Sequence, residues 1–256
     1  MIGIKTREVV QWFGYCGDRF VETYRRHIDV PKLTEDKNYG LKVFLFDFAF
    51  ARNGAPHAFR VAGVKAVSAC ENPNVELKTS FKDFWTGKCN KQGNPVFDPN
   101  LRNLDIPEIV KLVKDGALCE AFRKLKLRGV GHKIGSLFLR DLVILLGAEP
   151  KLTEETYRYC QPIDIWVRIV VGELCGTHLA DGAAKYRLNP GDLAAVDNIT
   201  QLSLKAGVSP LKVNAGIWYF SSNIVADRTR LRKLFDPVDV RRLKAESELM
   251  EGFLPT

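Results

Sequence analysis

The segment Leu127-Arg128-Gly129-Val130-Gly131-His132-Lys133-Ile134-Gly135, followed by Gln161-Pro162-Ile163-Asp164-Ile165-Trp166, decides how this chain reads; Asp164 stands thirty-one positions beyond Lys133. Glycine accepts positive φ and has no Cβ, so Gly129 and Gly131 around Val130 predict a tight turn between two helices. Ahead of the turn, a helix starts near Pro107 and runs through Val113, Gly116 breaks it, and Ala117 to Leu125 forms the next. Behind the turn, Ile134, Leu137, Phe138, Leu142 and Leu145 recur at helical spacing up to a stop at Gly147. The predicted arrangement is helix, glycine hairpin, helix.

Working outward, the pattern stays helical and little reads as sheet. Val9, Val10, Phe13, Phe20, Val21 and Tyr24 place one helix, or two short ones, over 7–26, with Pro31 at or after the end. Leu41 to Arg52 is too long and too apolar for a typical strand and reads as a buried helix closed by Asn53-Gly54. Pro56 to Cys70 reads as a helix and Cys89 to Asn103 as a surface loop. Ala148 to Gln161 is a polar connection with a short helix. Ile165 to Cys175 is apolar nearly all round and predicts a buried helix. Helices over Leu193–Ala206, Pro210–Val225 and Val238–Gly252 follow, each preceded by an Asp, Ser or Pro suited to a helix start. No internal repeat or low-complexity tract is present.

A chain of 256 residues, 46% hydrophobic and 27% charged, has the composition of a globular protein. No apolar run approaches the ~20 residues that cross a bilayer and the N-terminus lacks a secretory pattern, so a cytosolic or nucleoid location and no membrane partner are expected. Cys16, Cys70, Cys89, Cys119, Cys160 and Cys175 form no close pair, which gives neither a zinc nor an iron–sulfur spacing; reduced, mostly buried thiols are expected. A net charge of +8 and a pI near 9.2 favour a polyanionic partner.

The chemistry concentrates at three places. The hairpin, Gly129 to His132, can turn successive N–H groups at a helix start toward one phosphate without reading sequence; the plain alternative is a tight turn and nothing more. Lys133 falls in the first helical turn, where the positive end of the helix disfavours a cation. Partial burial there would favour an amine that attacks carbon and forms a Schiff base, whereas a solvated or phosphate-pairing lysine is the other reading. Asp164 opens the buried helix. It reads as an N-cap, as the partner of Arg168 four positions on, or as a carboxylate stabilising positive charge on a sugar as a base departs. His132 reads as a phosphate neighbour or an exposed helix-start residue, and His27, His57 and His178 have no metal-like spacing. The runs Arg123-Lys124-Lys126-Arg128 and Arg228-Arg230-Arg232-Lys233 read equally as DNA-backbone contacts or solvated helix faces.

Leu-x-Gly-Val-Gly-x-Lys with a downstream Pro-Ile-Asp-Ile-Trp resembles the helix-hairpin-helix DNA glycosylase superfamily. The Lys133–Asp164 interval, the missing iron–sulfur cysteines and Gly207-Val208-Ser209-Pro210-Leu211 leading to Ile217-Trp218 are similar to its archaeal-type 8-oxoguanine glycosylases. The likeness covers about residues 106–225. It implies an all-α, two-lobed fold with the active site in the cleft between lobes. One lobe, about 40–147, holds the hairpin; helices of 1–39 pack with a second lobe of 148–256. It further implies Lys133 as nucleophile, Asp164 as catalytic carboxylate, and DNA backbone contacts from Gly129, Val130, Gly131 and His132. Trp218 would stand in or beside the base pocket, or in the core. The implied activity is excision of an oxidised purine, 8-oxoguanine foremost, from duplex DNA by a monomer, followed by β-elimination. No metal or cofactor is implied beyond a monovalent cation held by the hairpin carbonyls. Two other readings stay open: the same fold acting on another damaged or modified base, and a non-catalytic DNA-binding module.

Overall fold

A computed structural model describes residues 2–49, 103–127, 130–176 and 190–251, the side chains of 249–251 excepted. The described residues are mainly helical and contain no strand, so the chain is all-α there. The helix expected over 56–70, and the loop over 89–103 apart from Asn103, lie outside the described residues. The chain divides into two compact units, one of Met1–His27 with Thr153–Thr256, the other of Ile28–Leu152.

In the Ile28–Leu152 unit, α2 (Val30–Glu35), α3 (Lys37–Val43), α4 (Ile106–Lys114), α5 (Leu118–Lys124) and α6 (His132–Leu145) follow in order, and α3 runs on as a π-helical turn over Phe44–Ala49. Local chemistry starts three of them. Asp29 accepts from the Lys32 N–H, Asp36 from those of Asn38 and Tyr39, and Asp105 from that of Glu108, at 2.9–3.1 Å. Pro31, expected to end the first helix, instead sits in the first turn of α2, where its missing N–H costs no helical bond. The first boundary accordingly falls at residue 28 rather than 40, because α2 buries Leu33 completely and packs on α3 and α4. The second falls after 152 rather than 147: the 3-10 turn Glu149–Lys151 stays with this unit, the Lys151 amine donating to the Lys114 carbonyl. At the centre of the core, Phe138 of α6 meets Phe44 and Phe48 edge-on, at 4.9 Å each.

In the other unit α1 (Ile4–Tyr24) is one uninterrupted helix. It is followed, beyond the 3-10 segment Glu154–Tyr159, by α7 (Ile165–Cys175), α8 (Pro190–Ala206), α9 (Pro210–Tyr219, continuing π-helical through Val225), α10 (Arg228–Leu234) and α11 (Val240–Glu251). Its core joins Val9, Phe13 and Cys16 of α1 to Val167 and Val170 of α7, Ile199 of α8 and Val213, Ile217 and Phe220 of α9. The closest approach is α1 against α9. A Cβ on Gly17 would lie 1.9 Å from the Lys212 carbonyl oxygen, and one on Gly216 1.9 Å from that of Phe13. Only glycine fits at either point. Sequence reading had not resolved α10 as a helix of its own; Asp227 caps it, and Leu231 anchors it in the core. No helix of the described residues is long and apolar enough to cross a membrane.

Candidate functional site

The hairpin leads straight into α6. The Val130 N–H donates to the Leu127 carbonyl at 3.0 Å, and the Gly131 carbonyl accepts from Ile134 and Gly135 at 3.1 Å each. The amides of His132 and Lys133 therefore lie ahead of the first intrahelical bond. A glycine cap supplies no side-chain oxygen to them, an arrangement suited to an anion. Gly131 has φ −70° and ψ 170°, extended backbone open to any residue, so the left-handed conformation that glycine allows is not used there. Gly129 and Arg128 lie outside the described residues.

The side chains around this turn separate by environment. Val130 is 4% exposed, so its side chain belongs to the core, and its N–H is taken by the Leu127 carbonyl. His132 is half-buried, its ring 4.8 Å from that of Phe122 and Nδ1 3.1 Å from the Ser136 hydroxyl. It is a packed residue, not an exposed one. Lys133 is exposed, and the partial burial expected of it is not found: it lies in the first turn, before the buried run of α6 begins at Gly135 and Ser136.

Asp164 and Trp218 belong to the other unit. Asp164 caps α7, with Oδ1 accepting from the N–H groups of both Trp166 and Val167 at 3.0 Å. Its backbone is extended, at φ −119° and ψ −176°, and the residue is half-buried. Arg168, four positions along, reaches across to Asp192 in the first turn of α8, a partner from another helix that i,i+4 spacing could not indicate. Trp218 is half-buried on α9, with its ring edge-on to Phe20 of α1 at 5.6 Å.

Behind Asp164 lie polar residues that sequence reading passed over: Gln161, Thr200 and Asn214, at 0%, 3% and 0% exposure. An asparagine between Val213 and Ala215 on an apolar helix was the one available signal, since a buried amide needs partners; nothing local named them.

Three of the seven described residues of the basic runs pair within their own units. Lys124 pairs with Glu108 at 2.8 Å, and the hydrogen bond it donates to that carboxylate raises its pKa; Arg230 pairs with Glu246 at 2.7 Å and Arg232 with Glu173 at 4.0 Å. Arg123 and Lys126 are exposed. Among the described residues Cys16, Cys119, Cys160 and Cys175 are thiols outside any disulfide, two of them buried, and burial pushes the Cys175 thiol up. No group of His, Cys, Asp and Glu among the described residues could hold a metal ion.

Comparison of the chain with protein-family models, with curated proteins and with solved structures finds no match.

Proposed function

We propose that this chain is a DNA base-excision glycosylase with an attached abasic-site lyase activity, acting as a monomer on an oxidised purine, 8-oxoguanine foremost, in duplex DNA. The observation that carries the reading is the start of α6. A capping glycine without a side chain leads a helix whose first turn presents the accessible amine of Lys133. An amine beside a phosphate-binding helix start is placed to meet the sugar attached to that phosphate.

The substrate nucleotide is first drawn out of the stack, which costs a few kcal/mol and less at a damaged base. The Lys133 nitrogen attacks C1′, the N-glycosidic bond breaks, and the base leaves with a proton. Asp164, held by its cap bonds, stabilises the positive charge that develops on the deoxyribose ring and assists the proton transfers. Ring opening gives a Schiff base on Lys133. Loss of a proton from C2′ then expels the 3′ phosphate by β-elimination, and hydrolysis frees the enzyme. His132 and Lys133, led by the side-chain-free cap Gly131, serve the phosphate through their backbone amides.

One other reading has an observation in its favour. The exposure of Lys133 and the engagement of Asp164 as a cap both suit a non-catalytic module that binds DNA through the hairpin alone. Incubation with duplexes bearing 8-oxoguanine, uracil or an abasic site, with and without borohydride, separates the two. Excision predicts a covalent protein–DNA adduct that disappears in Lys133→Ala; salt-sensitive binding without scission, unchanged in Lys133→Gln, would favour the module. An adduct of equal yield in Lys133→Ala refutes Lys133 as the nucleophile.

A further inference from the structure

We infer that Asn214, backed by Gln161 and Thr200, is a positioning residue that sets the Asp164 carboxylate, an inference that rests on the excision reading above. The Asn214 amide donates from Nδ2 to the Pro162 carbonyl at 3.1 Å and to Gln161 Oε1 at 3.5 Å, and Gln161 Nε2 donates to Thr200 Oγ1 at 2.9 Å. Asn214 stands on α9, Thr200 on α8, and both grip the segment that runs into Asp164 two residues later.

The core does not require polar groups at these points. Val213, Ala215 and Ile217 flank Asn214 on the same helix, and an apolar side chain would fill the space without the desolvation that a buried amide must offset. What the amide adds is a hold on the stretch of chain that runs into Asp164. Pro162 has no N–H to donate, Ile163 is buried, and Asp164 is extended. From its C-terminal side Asp164 is fixed by the amides of Trp166 and Val167. From its N-terminal side the hold reaches it through Gln161 and Pro162. Asn214 therefore closes the second constraint, and does so from the helix that carries Trp218 four residues on. With both constraints in place the carboxylate has one position relative to α9; with one removed, it can swing about the α7 start.

The experiment is single-turnover excision from an 8-oxoguanine duplex, with binding to the same duplex and melting temperature measured in parallel, on Asn214→Leu, Thr200→Val and Thr200→Ser. Asn214→Leu should lower the excision rate about 10–100-fold, the scale of a misplaced catalytic group, while DNA affinity stays within about twofold. Thr200→Val should show a smaller loss that Thr200→Ser restores, and the Trp166 and Val167 amide resonances, which report the cap, should shift in Asn214→Leu. Unchanged rate and resonances would overturn the inference, as would a rate that falls only in step with affinity. If Asn214→Leu does not fold, the Thr200 pair decides: a Thr200→Val loss that Thr200→Ser fails to rescue overturns it. A wild-type protein that neither excises nor traps on any lesion duplex refutes the excision reading itself, and this inference with it.

Discussion

Replacing Gly216 by alanine should be far more damaging than a single added methyl suggests, and replacing Gly14 should do the opposite. The new Cβ at 216 would sit 1.9 Å from the Phe13 carbonyl oxygen and 2.8 Å from the Gly17 nitrogen, where ordinary contact begins at 3.4 Å. Both obstacles are backbone of α1, so no rotamer relieves the clash and the helices must part by about 1.5 Å. That movement opens the aromatic seam in which Trp12, Phe13 and Phe20 meet Trp218, Tyr219 and Phe220. A radial gap of ~0.5–1 Å already forfeits a quarter to a half of each contact's dispersion energy. Overpacking against movable side chains costs ~1–3 kcal/mol. Against a rigid backbone we expect ~3–4 kcal/mol, net of the ~1 kcal/mol that alanine gains over glycine in a helix. In a chain of this size that lowers the melting temperature by about 6–16 °C. At Gly14, one turn earlier on α1, the added Cβ would meet the Val208 side chain at 3.5 Å, an ordinary contact, and only the propensity gain of up to ~1 kcal/mol remains. Calorimetry of the single variants and of Gly17→Ala with Gly216→Ala tests this. The double variant should cost less than the sum, since either change opens the same seam. A Gly216→Ala protein melting within about 2 °C of wild type, or Gly14→Ala and Gly216→Ala shifting in the same direction, would refute the reasoning.

Two further outcomes follow from the site and its surroundings. Asp164→Asn should keep the cap, and with it the melting temperature, because asparagine caps as well as aspartate, whereas Asp164→Ala should cost ~1 kcal/mol. Both should lower excision by ~10²-fold or more for want of the negative charge, and an Asp164→Asn protein as unstable as Asp164→Ala would contradict the capping geometry. At the start of α11, the Arg241 side-chain hydrogen bonds, then the Arg241 backbone N–H, hold the Asp239 carboxyl at about 2, below its ordinary 3.8. A depressed folded value means that this pair's contribution is present above about 4 and lost as pH falls from there through about 2. A carboxyl chemical-shift titration should show that low midpoint and its return toward the ordinary range in Arg241→Ala; a wild-type midpoint already at 3.8 would dispose of the pairing.

Helix starts were legible because capping is settled within three residues. Asp105 with Glu108, Asp164 with Trp166 and Val167, and Ser209 with Lys212 each complete their bond inside one turn, so the residue type at the cap nearly dictates the geometry. Pro31 shows the limit of the same rule. Proline marks a break and a first turn equally well, and only the burial of Leu33 against its neighbours decides that α2 begins there. The candidate site was legible in part. Lys133 and Asp164 could be named from type and spacing, but the exposure of Lys133, the packing of His132 on Phe122 and the burial of Val130 depend on where α6 and its neighbours lie.

The amino-acid order alone determined that this chain is helical, where a helix turns through glycine into the next, and that an amine and a carboxylate open two of its helices, because these follow from torsions and hydrogen bonds among near neighbours. Tertiary structure decided which carbonyl Asn214 grips, 52 residues back along the chain, that Arg168 reaches Asp192, and that Gly17 and Gly216 let α1 and α9 touch backbone to backbone. Such contacts join residues far apart in the chain, and their energy depends on separations of tenths of an ångström that a linear pattern of residue types does not encode.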